Sequence, residues 1–189
     1  MYFTWTLYII LALNSISAVL AVVCFIKIFK VAKLTKTRKY FFVLAFLLFL
    51  TLAVVLESAL VALKAQELAG YKHMKKGAYL VSFLYSSPYM IFYPLSYLFL
   101  LLAFIEKEKE KNTIWSTVFL VPCEVSSTIL LLLILFEAFR NKASDLIKVS
   151  IVMLLLSHLS LLLPCIRGLF SASLVRSIAL LLFLAECLR

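Results

Sequence analysis

Glu124 and His158 are the ionisable residues that sit deepest inside the long apolar stretches of this 189-residue chain. An isolated charge is costly in such surroundings, so each marks a candidate for proton or ion handling. Glu124 is eleven residues into the apolar stretch 113–137, and His158 about twelve into 146–166. At ~1.5 Å per residue both lie about 16–18 Å from their entry faces. That places them at one depth on consecutive antiparallel helices. A carboxyl and an imidazole so placed can share a proton, and burial favours the neutral arrangement over two separate charges. Thr113, Thr117 and Thr128 recur at helical spacing with Glu124, Ser126 and Ser127 broaden the stripe, and Ser157 and Ser160 flank His158. Pro122 frees a backbone carbonyl beside Glu124. The chemistry expected of these residues is a proton or ion site, or a polar pocket. The same residues can also tie helices together through hydrogen bonds of about 0.6–2 kcal/mol each.

A second pattern is aromatic. Tyr85, Tyr89, Tyr93 and Tyr97 recur every four residues, with Pro88 and Pro94 expected to kink their helix. Phenols at four successive turns reach farther than an interfacial belt. They can line a groove for an apolar ligand with a polar handle, or bond to neighbouring carbonyls as ordinary packing. Glu57, Glu137 and Glu186 each lie near the end of a span and read as interfacial anchors, as do Arg167 and Arg176. No G-x-S-x-G, H-E-x-x-H, P-loop or dinucleotide fingerprint occurs. Cys24, Cys123, Cys165 and Cys187 lack metal or redox spacing and read as small apolar side chains. No cofactor and no metal are expected.

The elements that position these residues follow from composition. The chain is 65% hydrophobic and 15% charged, against about 45–50% and 25% in soluble domains. About 20 apolar residues cross ~30 Å of hydrocarbon. Six stretches qualify, roughly 3–26, 40–63, 78–105, 113–137, 146–166 and 171–188. The predicted fold is all-α, a polytopic six-transmembrane-helix bundle forming a single domain over 1–189. The first stretch lacks a basic n-region and reads as a retained span, not a signal peptide. The net charge of +10 comes from Lys and Arg between apolar runs. That excludes a folded basic patch for nucleic acid and reflects membrane loops. With alternating spans, the side of the first connector holds eleven of the 19 Lys and Arg residues. It is therefore expected to be cytoplasmic, with both termini outside.

Residues 25–60 and 133–168 share a pattern: an apolar helix, a polar hinge, then a longer Leu-rich helix. Two three-helix units, 1–105 and 113–189, would follow, and an odd-numbered unit repeated in tandem would be inverted, as in many transporters.

Two family resemblances have residues to point to. Arg38-Lys39-Tyr40-Phe41-Phe42-Val43-Leu44-Ala45-Phe46-Leu47-Leu48 and Leu154-Leu155-Leu156-Ser157-His158-Leu159 resemble multi-span membrane modules of archaeal type, some of which precede histidine-kinase domains. That resemblance implies a sensory or partner-binding role. Residues 122–167 resemble archaeosortases and exosortases, membrane transpeptidases with a Cys followed by an Arg at the end of the next span. It implies Cys123 as nucleophile and Arg167 as oxyanion partner; no His follows Arg167 in this chain. The function expected first is non-enzymatic: a membrane binding, sensory or accessory subunit engaging a lipophilic ligand or a partner membrane protein. Its partners would be the bilayer and another membrane protein or a second copy of the chain, with no nucleic acid. A small proton- or ion-coupled transporter using Glu124 and His158 comes second, and a transpeptidase third.

Overall fold

The computed structural model describes residues 2–67, 79–80, 82–84, 86–105, 123–161 and 166–188, the side chains of 2–4, 65–67, 123 and 124 excepted. Every regular element among these residues is a helix, and no strand occurs among them. The long helices are α1 Tyr2–Thr35, α2 Arg38–Glu67, α3 Phe92–Ile105, α4 Cys123–Arg140, α5 Asp145–Leu161 and α6 Ile166–Cys187. The chain is therefore all-α. Among the described residues, four segments are long and apolar enough to cross a membrane: Trp5–Thr35, Arg38–Lys64, Pro88–Ile105 and Ile166–Cys187. Of the other helices, α4 carries Glu124, Glu137 and Arg140 in 18 residues, and α5 has 17 residues. α1 buries Ile10, Ala21 and Cys24 while exposing Trp5, Ile16 and Val19. A helix apolar on both its inner and outer faces suits a lipid surround, in keeping with a membrane location.

Local chemistry sets the ends. α1 stops at Lys36, whose φ of 52° is left-handed and whose amide bonds to Ala32 O at 2.9 Å, a common helix stop. α4 stops the same way. Lys142 has φ 50°, its amide reaches Phe139 O, and the Ala143 amide reaches back to Ala138 O at 2.9 Å. These are the two bonds of a Schellman motif. Ser144 Oγ then accepts the Ile147 amide at 3.4 Å and caps α5. Before α3 the chain leaves the helix at Ser86 and Ser87, and Pro88 opens a 3-10 turn from an extended Ser87. Pro88 thus restarts a helix, and Pro94 sits in the first turn of α3, where a missing amide costs nothing.

Consecutive helices pack side by side, and α6 closes against α1, giving a ring of six. At one end, here called the basic end, Asn141 Nδ2 donates to Phe104 O at 3.2 Å, and Lys39 lies 5.8 Å over the Phe104 ring. The Cys24 and Cys187 thiols hydrogen-bond there as well, joining α1 to α6. Toward the far end, Lys64 sits 4.7 Å over the Phe83 ring.

These contacts correct the expected topology. The end of α3 and the end of α4 lie together, so α3 and α4 run parallel, as do α6 and α1. Strict alternation would have opposed α3 and α4. Tyr2 and Cys187 consequently lie at opposite ends of the ring, not on one side. The second set of three helices repeats the directions of the first. The reason is that Ile105 and Cys123, the ends of the connection between them, lie at opposite ends of the bundle. Gly168 lies buried inside α6.

Candidate functional site

Five of the six helices send a polar side chain to one buried centre. Glu57 comes from α2, Arg176 from α6, Asn14 from α1, Tyr93 and Tyr97 from α3, and His158 from α5. Glu57 lies seven residues before Lys64, and Arg176 nine after Arg167. At ~1.5 Å per residue both are about 10–14 Å from the far end, on antiparallel helices. They meet there. Arg176 Nη1 donates to Glu57 Oε2 at 3.0 Å, and each residue is 1% exposed. Tyr93 hydroxyl donates to Glu57 Oε2 and accepts from Arg176 Nη1, bridging the pair. Asn14 Nδ2 donates to Glu57 Oε1 at 3.0 Å. The guanidinium also lies 5.1 Å from the centre of the Tyr93 ring, where the π face attracts a cation.

Beside this knot, His158 Nε2 and Tyr97 Oη are 2.8 Å apart, and the imidazole meets the Tyr93 and Tyr97 rings edge-on at 5.2 and 5.1 Å. Lesser polar contacts tie the surrounding helices. Ser17 and Ser177 hydroxyls are 2.9 Å apart across α1 and α6, and Ser157 donates to Ala172 O at 2.9 Å across α5 and α6. Opposite charges cancel in the centre, and the bridging phenol supplies both a donor and an acceptor. Charges taken out of water cost several kcal/mol each unless matched and hydrogen-bonded, roughly as they are here. The arrangement holds helices in register. Asn14 Oδ1 and Arg176 Nη2 have no hydrogen-bond partner among the described residues.

The basic end opens into a cleft of about 900 Å³. Its floor is Val43, Leu100, Ala103, Phe104, Ile147 and Phe183; Lys27, Lys30 and Lys39 stand at its edge with Tyr40, Asn141 and Glu186. Between the cleft and the polar centre lies an apolar layer, where Phe46 packs edge-on to Phe183 at 6.1 Å and tilted against Tyr97 at 6.3 Å. Leu154, Leu180 and Ile151 fill the rest of that layer and are buried.

The residues singled out in the sequence are distributed as follows. His158, Ser157, Tyr93 and Tyr97 are buried in or beside the centre, and Tyr89 stacks edge-on to Tyr93 at 6.3 Å. Ser127 is buried on α4 and Thr128 half-buried. Thr117, Tyr85 and the Glu124 and Cys123 side chains lie outside the described residues. Arg167 is exposed in the first turn of α6. Glu137 pairs with Arg140 at 3.5 Å, as an interfacial anchor would. Glu57 and Arg176 do not: read from the sequence as anchors, they are the buried ion pair. Together with Asn14 they are the part of the centre that sequence reasoning missed. The available signal was their opposite charge at similar distance from one end.

The fold and its centre define an all-α protein with membrane-length helices closed around a buried ion pair. No protein-family model, curated protein or solved structure matches the chain.

Proposed function

We propose that this chain is a non-enzymatic, multi-pass membrane protein that binds a lipophilic ligand in the cleft at its basic end, in a sensory or accessory role. The observation that carries the reading is the cleft: about 900 Å³, with an apolar and aromatic floor and a few polar groups at the edge, within the size range of small-molecule sites. All six helices of the ring lie in the bilayer. α1 has 34 residues, ~51 Å, and so projects past ~30 Å of hydrocarbon. Each set of three helices has a left-handed lysine at its first hinge, Lys36 and Lys142.

The basic end faces the cytoplasm. Six Lys and Arg between residues 27 and 39 gather there with Arg140, Lys142 and Lys148, against Lys64 and Arg167 toward the far end among the described residues. Such asymmetry favours the inside. The first turns of α1 then lie toward the outside and the last turn of α6 toward the inside.

The test is to purify the full chain in mild detergent and identify what copurifies by mass spectrometry. A lipophilic molecule should be retained, and Ala143→Trp, which fills the cleft from the α4–α5 turn, should lose it. Retention of nothing by the unmodified chain, or equal retention by Ala143→Trp, overturns the reading.

The second reading is a proton- or ion-coupled transporter. The polar centre of Glu57, Tyr93, Arg176 and His158 favours it, and the apolar layer of Phe46, Leu154, Leu180 and Phe183 weighs against it.

A further inference from the structure

We infer that the ligand of the cleft is an anionic, phosphate-headed lipid, bound with its phosphate among Lys27, Lys30 and Lys39 and its acyl chain on the apolar floor. This rests on the cleft being the binding site and adds the chemistry of the headgroup. Lys27, Lys30 and Lys39 are exposed side chains, and none has an ion-pair partner among the described residues. They come from two helices that converge: Lys27 and Lys30 are three residues apart, and so on one face of α1, while Lys39 opens α2. Among the charged groups that the described residues bring to the cleft, three are cationic and one, Glu186, is acidic. An excess of positive charge above an apolar, aromatic floor is complementary to a molecule with a negative head and an apolar tail.

Neighbouring polar groups suit a phosphate. Tyr40 and Asn141 add neutral groups able to donate hydrogen bonds, and lysine ammonium groups bind phosphate as point charges. A neutral amphiphile would leave the Lys27 and Lys30 ammonium groups unmatched. A free phosphate would leave the floor of Leu100, Phe104 and Phe183 uncovered. The apolar layer headed by Phe46 closes the cleft above, so the lipid enters from the basic end and stops short of the polar centre. At a cytoplasmic face the anionic lipids of the inner leaflet supply such a molecule, and juxtamembrane lysines attract them.

The closing experiment uses the full chain in detergent and native mass spectrometry. Dioleoyl phosphatidylglycerol and dioleoyl phosphatidylcholine, which share acyl chains, are offered in competition. Phosphatidylglycerol should be retained at least about tenfold better, and Lys27→Gln/Lys30→Gln/Lys39→Gln should abolish that preference. The control Lys33→Gln/Lys36→Gln/Arg38→Gln removes as much charge from the same end but none from the cleft, and should keep the preference. Equal retention of both lipids, each still lost on Ala143→Trp, overturns the phosphate inference while leaving the cleft as a lipophilic site. Equal weakening by the cleft triple and the control triple also overturns it, because the attraction would then be general to the basic end. Displacement of phosphatidylglycerol by millimolar inorganic phosphate would reassign the site to free phosphate. Retention of neither lipid, with no effect of Ala143→Trp, would sink the cleft reading itself.

Discussion

The centre of the ring and its mouth treat charge in opposite ways. In the centre, Glu57 and Arg176 are almost wholly shielded from solvent, and Tyr93 and Asn14 take up hydrogen-bonding groups around them. At the mouth, Lys27, Lys30 and Lys39 stand exposed over an apolar floor without ion pairs among the described residues. The difference teaches which charges hold the fold and which are left to meet something else. A matched, buried charge commits its helices to one register, since shifting either helix strands an ion in a dry core. A rim charge commits nothing, because water screens it in either state.

The largest expected effect is all-or-none and concerns the two ends. In a background without the native cysteines, Thr35→Cys and Ser144→Cys should be labelled from the same side by an impermeant maleimide. Arg167→Cys should be labelled from the other. Strictly alternating spans would put Thr35 and Ser144 on opposite sides. Opposite labelling of those two would therefore break the parallel arrangement of α3 and α4, and with it the mouth that their ends help to build.

Next in size is the ion pair. Glu57→Gln leaves the Arg176 guanidinium buried without a counter-charge, at a cost of about 3–5 kcal/mol. Pairing it with Arg176→Met should recover most of that loss, because the double variant buries no net charge. Lys30→Gln at the mouth should leave stability unchanged. Denaturation in detergent micelles reads all three. If Glu57→Gln and Lys30→Gln proved equally mild, the contrast between centre and mouth would vanish.

The outlines of the ring were legible in the sequence, and its closure was not. Apolar stretches of span length predicted helices, and α1, α2, α3 and α6 occupy four of them. Hydropathy carries no direction, however, so it could not tell that the chain between Ile105 and Cys123 starts α4 from the same end as α3. The same blindness hid the centre. Glu57 and Arg176 look like anchors when each is measured to its nearest charged neighbour. They look like partners only when α2 and α6 are placed side by side, a contact between residues far apart in the chain. His158 was legible because it lies about twelve residues into its apolar stretch. Its phenolic partner, Tyr97, was legible only as one of a stripe. The cleft left no signature at all, since its walls come from six separate segments.

A smaller effect tests whether the neutral half of the centre behaves like the charged half. Tyr97→Phe removes the hydroxyl 2.8 Å from His158 Nε2 but keeps the ring packed edge-on at 5.1 Å. The loss should be about 0.5–1.5 kcal/mol, the usual net worth of one hydrogen bond. That is well below the cost of Glu57→Gln, because no charge is stranded. A loss as large as that of Glu57→Gln would mean that a single hydrogen bond holds this core as strongly as the ion pair does.

The smallest expected effect lies on the wall between α1 and α6. Ser177 Oγ has three partners: the Ser17 hydroxyl at 2.9 Å, Leu13 O at 3.0 Å and Ser173 O at 2.9 Å. Ser17→Ala removes the first and leaves the two carbonyls, so Ser177 keeps an acceptor for its proton. Alanine is also smaller than serine, so the close approach of the two helices survives. The expected loss is ~0.6 kcal/mol or less, the average for hydrogen bonds between helices in a membrane. Ser177→Ala removes all three contacts and should cost more than Ser17→Ala, and the two losses should not add in the double variant, because they share one bond. Thermal denaturation of the three variants in one detergent measures this. Should Ser17→Ala alone approach the cost of Glu57→Gln, polar contacts in this core would not be graded by charge, and the ion pair would lose its special place in holding the ring.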